Sequence, residues 1–205
     1  MLNSEDNESL SELKSTFLLC KDRSAFASAM TQLQQLLGNR HWSAALCEME
    51  GDHTVTSNYV FMNNFPSDFM ESYTLNQAEF FDVIVSNHFC EDHFGKLQYW
   101  ADTFKKTQDE KGSIPEKLYK MHIQWREFLE EWGILLEGYS IGRRTFIDKT
   151  SKWSGSIINY ADDLEFSERN QEIIEKILES QHIAVLNILQ PELTESSQKD
   201  QSTQP

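Results

Sequence analysis

The stretch NNFPSDFMESYTLNQAEFFDVIV, residues 63–85, sets aromatic rings at Phe65, Phe69, Tyr73, Phe80 and Phe81 around one acid, Asp82, which stands directly before a Val-Ile-Val run. A core gains nothing from a carboxylate there, because a buried unpaired charge is costly. A pocket that recognises a polar group on an otherwise apolar ligand does gain, since a buried acceptor orients the ligand. Pro66 is read as opening a helix, with Ser67 and Asp68 in the first turn, where the helix dipole favours polar and acidic groups. On that helix Phe69, Tyr73 and Asn76 or Gln77 recur every third or fourth residue, so one face points at whatever Asp82 faces. The plainer alternatives are a capping or surface role for Asp82 and ordinary core packing for Tyr73.

Outward from this stretch the chain reads as alternating helices and strand pairs. Residues 1–8 are expected as a solvated arm, and 9–190 as one domain. Leu10, Leu13, Phe17 and Leu18 mark a first helix; Phe26, Met30, Leu33, Leu36 and Leu37 mark a second, stopped by Gly38. HWSAALCEM and NYVFMNN read as antiparallel partners around the turn EGDHTVTSN. Beyond Trp100 a charged, turn-forming loop leads to Ser113 and Pro115, which start a long helix. Its stripe is Leu118, Met121, His122, Trp125, Phe128, Leu129 and Trp132, and its end is expected near Glu137. RRTFIDK and WSGSIINYA then form a second strand pair. A last helix from about Ser167 carries Ile173, Ile177, Ala184 and Ile188, a stripe suited to core packing or to joining two subunits. Residues 191–205 are polar and expected as a loose tail or linker. This order implies an α/β fold (α+β): an α/β/α sandwich with one central antiparallel sheet of about five strands and helices on both faces.

The 205 residues suffice for one domain with a substantial core, and 12% aromatic content exceeds what an ordinary core needs, unless a large core takes the rings. A net charge of −15 disfavours phosphate backbones and anionic surfaces, so direct nucleic-acid binding by this chain is not expected. No apolar run approaches the roughly 18 residues of a membrane span. The acidic start MLNSEDNESLSELKS is unlike a signal peptide. Cys20, Cys47 and Cys90 give no disulfide framework, which together with the start implies a cytoplasmic protein. His88, Cys90, Asp92 and His93 in NHFCEDHFG match no strong metal spacing, and no G-x-S-x-G, H-E-x-x-H or phosphate loop is present. Neither an enzyme nor a metal site is expected; packed side chains account for the cluster.

Asn64-Phe65-Pro66, Phe69, Tyr73 and Asp82-Val83-Ile84-Val85 keep the spacing of N-Y-P-x-x-W-x-x-x-Y, a spacer, then D-P-x-V. This pattern resembles the acyl-homoserine-lactone-binding domain of LuxR-type quorum-sensing receptors. Trp100 and the run Phe128, Glu130, Glu131, Gly138, Gly142 resemble later features of the family, and the likeness extends from Leu10 to Leu189. It implies a sensor that binds a small-molecule signal, an acyl-homoserine lactone or related amphipathic ligand. It assigns the ligand's amide carbonyl to Tyr73 and its amide N–H to Asp82. Phe65, Phe69, Ile84, Val85, Trp100, Phe128, Trp132, Arg144 and Ile158 are expected to line the same site. There are departures. Phe69 replaces the tryptophan that meets the lactone carbonyl, and Val83 replaces a proline. Arg143 and Arg144 follow Gly142, one facing inward if side chains alternate, or both on a rim.

Family members continue into a helix-turn-helix domain, and QPELTESSQKDQSTQP cannot supply a basic recognition helix. Two readings stay open: a chain cut at the linker, or a stand-alone sensor. The second would act as a homodimer, or as an anti-activator paired with a full-length LuxR-type regulator, because half-site binding is far weaker than two-site binding. A third reading is an interaction module whose pocket is filled by its own side chains.

Overall fold

Local sequence signals start and stop each helix where the chain must turn. The computed structural model describes residues 2–38, 41–50, 54–78, 82, 98–99, 116–133, 138–146, 153–161 and 167–201. It is a mixed helix-and-sheet structure. Helix α1 spans Ser4–Leu19, capped by the Asn3 side chain, which accepts the Asp6 N–H at 2.8 Å. Helix α2, Arg23–Leu37, is capped by Asp22, which accepts the Ala25 N–H at 2.8 Å, and ends at left-handed Gly38 (φ 84°). The expected arm over residues 1–8 is therefore corrected, because the cap begins the helix at Ser4 and Asp6 is buried.

Strands β1 (His41–Glu50) and β2 (Thr54–Asn63) form a hairpin, with a bulge between Leu46 and Cys47. The turn is shorter than the sequence implies, because the β-branched residues Thr54, Val55 and Thr56 pair with β1. Helix α3 is Phe69–Leu75, β3 is Gln98–Tyr99, α4 is Glu116–Glu131, β4 is Gly138–Phe146, β5 is Trp153–Ala161 and α5 is Glu168–Gln201. The strands pair in the order β2-β1-β5-β4-β3, antiparallel throughout.

Register separates the two faces of this sheet. Ala44 stands opposite Phe61 on one side and Ile158 on the other, and all three lie in the main core with α1, α2 and α5. Ser43, the next residue, stands opposite Met62, which packs with α3 and α4 in a second cluster. Successive residues of a strand point to opposite faces, so the two cores lie on either side of the sheet. In the main core Phe26 touches Phe17, Trp42 and Phe61, with centroids 5.7, 6.1 and 5.0 Å away.

Three boundaries differ from the reading of the sequence. Helix α3 starts at Phe69 and not at Pro66, because Asn64 turns the chain in the left-handed region (φ 61°) and the Pro66 carbonyl accepts the Phe69 N–H at 3.0 Å. Helix α4 stops at Glu131, closed by left-handed Gly133 (φ 65°), and β4 already begins at Gly138. Helix α5 runs through Pro191 to Gln201, where a loose tail is expected. Proline removes one i→i−4 bond, and Glu192, Leu193, Gln198 and Lys199 after it are good helix formers.

The stripe Ile173, Ile177, Ala184, Ile188 is buried within the subunit, 0–4% exposed. That settles its role as core packing, and any self-association uses another surface. At the start of α5, Arg169 binds buried Asp6 through Nε (3.2 and 3.1 Å) and donates to the Leu36 carbonyl at 3.1 Å. Asn170 donates to the Leu37 carbonyl at 3.2 Å. These side chains satisfy the last carbonyls of α2, which a helix end leaves without internal partners.

Candidate functional site

The second core is a cage of rings built from α3, α4 and the end of β2. Phe69, on the first turn of α3, is its centre. Its ring lies 5.2 Å from Phe65, 6.3 Å from Tyr73, 5.5 Å from Phe128 and 5.8 Å from Trp132. Helix α4 presents Trp125 and Phe128 at i and i+3, and the two rings stack at 5.7 Å with planes 17° apart. Tyr73 stands edge-on to both, at 6.1 and 6.3 Å. Each such pair is worth about 0.5–1.5 kcal/mol beyond its buried area.

The polar pole of the cage comes from a tight reversal after α3. Asn76 closes the helix by donating its N–H to the Ser72 carbonyl at 2.9 Å, and Gln77 turns the chain in the left-handed region (φ 52°). Ala78, fully buried in the cluster, accepts the Asp82 backbone N–H at 2.8 Å. That bond returns the Asp82 carboxylate to α3, where the Tyr73 hydroxyl donates to its Oδ2 at 3.2 Å. The carboxylate residue is 5% exposed. A buried acceptor with several lone pairs thus lies beside a phenol and a wall of rings, an arrangement able to take an amide on an otherwise apolar molecule.

Six of the expected site residues meet here: Phe65, Phe69, Tyr73, Asp82, Phe128 and Trp132. Ile158 does not. Its register opposite Ala44 puts it in the main core, on the other face of the sheet. Ile84, Val85 and Trp100 lie outside the described residues. The backbone of Arg144 pairs with Gly155 in β4, while its side chain, like that of Arg143, lies outside the described part. The segment holding His88, Cys90, Asp92 and His93 is also outside it, and the described residues contain no group of three or more potential metal ligands.

Sequence reasoning did not place Trp125 or His41 in the site, although His41 meets Phe65 edge-on at 5.5 Å. The signal for Trp125 was its spacing, three residues before Phe128 on the same helical stripe. His122, one turn earlier and buried, has its imidazole pushed below the ordinary value by desolvation. Two buried indole nitrogens, Nε1 of Trp42 and of Trp132, find no hydrogen-bond acceptor among the described residues.

No protein-family model and no curated protein matches the sequence. The solved structures do show likenesses. A crystal structure of CepR2 from Burkholderia cenocepacia, an N-acylhomoserine-lactone-dependent LuxR-family transcription factor, is similar with a TM-score of 0.59 and 15% identity. The match covers 94% of this chain and 99% of that one. Crystalline SdiA from Escherichia coli is similar with a TM-score of 0.53 and 12% identity, covering 88% of this chain and 66% of that one. The solution structure of residues 1–171 of the same protein has a TM-score of 0.51 and 14% identity, covering 90% and 94%. At these identities the likeness is one of fold. Among the described residues no helix is long and apolar enough to cross a membrane.

Proposed function

We propose, from the fold shared with these LuxR-family structures, that this chain is a signal-sensing domain that binds a small amphipathic molecule bearing an amide. The observation that carries this reading is the Tyr73–Asp82 hydrogen bond, 3.2 Å long, with the Asp82 residue buried and the Tyr73 ring packed against Phe69 and Phe128. A buried carboxylate is kept at a cost, and it is useful where a ligand N–H can reach it. An incoming amide gives its N–H to Asp82 and takes the Tyr73 hydroxyl on its carbonyl, in place of the Tyr73–Asp82 bond. The rings then cover the apolar body of the ligand. The dependence of the Burkholderia neighbour on N-acylhomoserine lactone favours that class, an acyl-homoserine lactone or a close relative.

Native mass spectrometry and isothermal titration with acyl-homoserine lactones of graded chain length test the proposal. A saturable one-to-one complex is expected. Tyr73→Phe and Asp82→Asn should each weaken it by about 1–3 kcal/mol, roughly 5- to 150-fold in Kd. Unchanged affinity in both variants, or no complex with any acyl amide, would sink the reading.

A further inference from the structure

Three large apolar side chains stand exposed among the described residues: Leu18 and Leu19 at 50% and 75%, and Leu75 at 75%. Scattered exposed leucines are common on folded proteins, so the charges beside them decide whether they matter. Leu18 and Leu19 end α1. Lys14 lies one turn before Leu18 on the same face, and Lys21 follows in the link to α2. Residues 14–23 set three cations, Lys14, Lys21 and Arg23, against one acid, Asp22, which is engaged in capping α2. Elsewhere Lys120, Arg126, Arg169 and Lys176 are each held by a carboxylate, of Glu116, Glu130, Asp6 and Glu172. Lys14 and Lys21 have no ion pair among the described residues. In a chain of net charge −15, this corner carries spare positive charge beside an apolar pair. Leu75 has the opposite setting. It ends α3, with Glu71 one turn before it on the same face and Asp68 at the helix start. Residues 64–78 contain neither lysine nor arginine. Helix α1 belongs to the main core and α3 to the ring cluster, so the two patches lie on opposite faces of the sheet.

We propose that the Leu18–Leu19 corner docks the outer face of α3 from a second copy of this chain. Leu75 meets the two leucines, while Asp68 and Glu71 meet Lys14 and Lys21. The contact joins two different patches, because pairing the corner with itself would set lysine against lysine. With the patches on opposite faces, each copy in a pair keeps one patch free, and copies add head to tail. The apolar area is small and the net charges repel, which places the contact in the weak, transient class. It supplies a surface for self-association where α5, its stripe buried, does not. It goes beyond the proposed function and stands without any ligand.

Sedimentation velocity at about 0.15 M salt, where charge screening acts over about 8 Å, tests the contact. The mean mass of the wild type should rise with concentration between about 10 μM and 1 mM, the range of a weak contact. Leu19→Ser and Leu75→Ser should each weaken self-association by roughly 10- to 150-fold, the effect of one leucine left unburied. An equimolar mixture of these two variants should form a one-to-one dimer and grow no further, since each keeps the patch that the other lacks. Lys21→Glu should weaken association, and the double variant Lys21→Glu, Glu71→Lys should restore it. All four positions are exposed, so the variants should fold, and unchanged melting temperatures check that. A wild type that stays monomeric throughout, or whose association survives either leucine variant, overturns the proposal. So does a mixture that stays monomeric where the wild type associates.

Discussion

Tyr73 and Asp82 stand nine positions apart and meet because α3 ends at once, Gln77 reverses the chain and Ala78 takes the Asp82 N–H. Most of the cage was legible at this scale: Phe65, Phe69, Tyr73 and Asp82 share one short stretch, and Phe128 and Trp132 lie a helical turn apart. Ile158 was not, because its face depends on which residue of β1 it pairs with. Phe69, 5% exposed and touching four rings, should be the most sensitive residue of the cage. Phe69→Ala is expected to cost about 3–5 kcal/mol, lowering Tm by roughly 6–20 °C at about 2–4 °C per kcal/mol. Thermal melting followed by circular dichroism checks this, and an unchanged Tm would mean that the ring borders open space.

Each helix carries its own boundary signals, and α4 shows both how far these reach and where they stop. Its stripe of Met121, Trp125, Phe128 and Leu129 faces the second cluster, as 3.6-residue periodicity requires. Its end came earlier than the apolar pattern implied, since a left-handed glycine outweighs continued apolar spacing. Burial on this helix holds the His122 imidazole below its ordinary value, so the folded chain binds this proton less readily than the unfolded chain does. Stability from this group is fully present above about pH 6.5, the unfolded value, and is lost as pH falls through the folded one. His122→Gln should therefore shrink the fall in Tm between about pH 8 and pH 5. Equal falls in variant and wild type would assign the pH response to other groups.

Among the described residues, two clusters lie on opposite faces of one sheet, with α1, α2 and α5 joined by a polar clamp. Hydrogen bonding from Arg169 holds the Asp6 carboxyl below its ordinary value. The clamp's contribution is present above the unfolded carboxylate value, about pH 4, and disappears as pH falls through the lowered folded value. Arg169→Ala should melt at a lower temperature than wild type at neutral pH, and the gap should close in acid as pH falls through the lowered folded value. A gap that persists undiminished there would assign the loss to packing of the arginine stem. By itself the sequence determined the helices, the strand pairs and the aromatic stretch with its acid, because caps, turns and apolar periods act between residues a few positions apart. Only the tertiary structure decided that Asp6 meets Arg169 across 163 positions, that Ile158 turns away from the ring cage and that the stripe on α5 is spent inside the core. Those outcomes follow from strand register and helix docking, which are set by packing between segments distant in the chain and leave no local periodic trace.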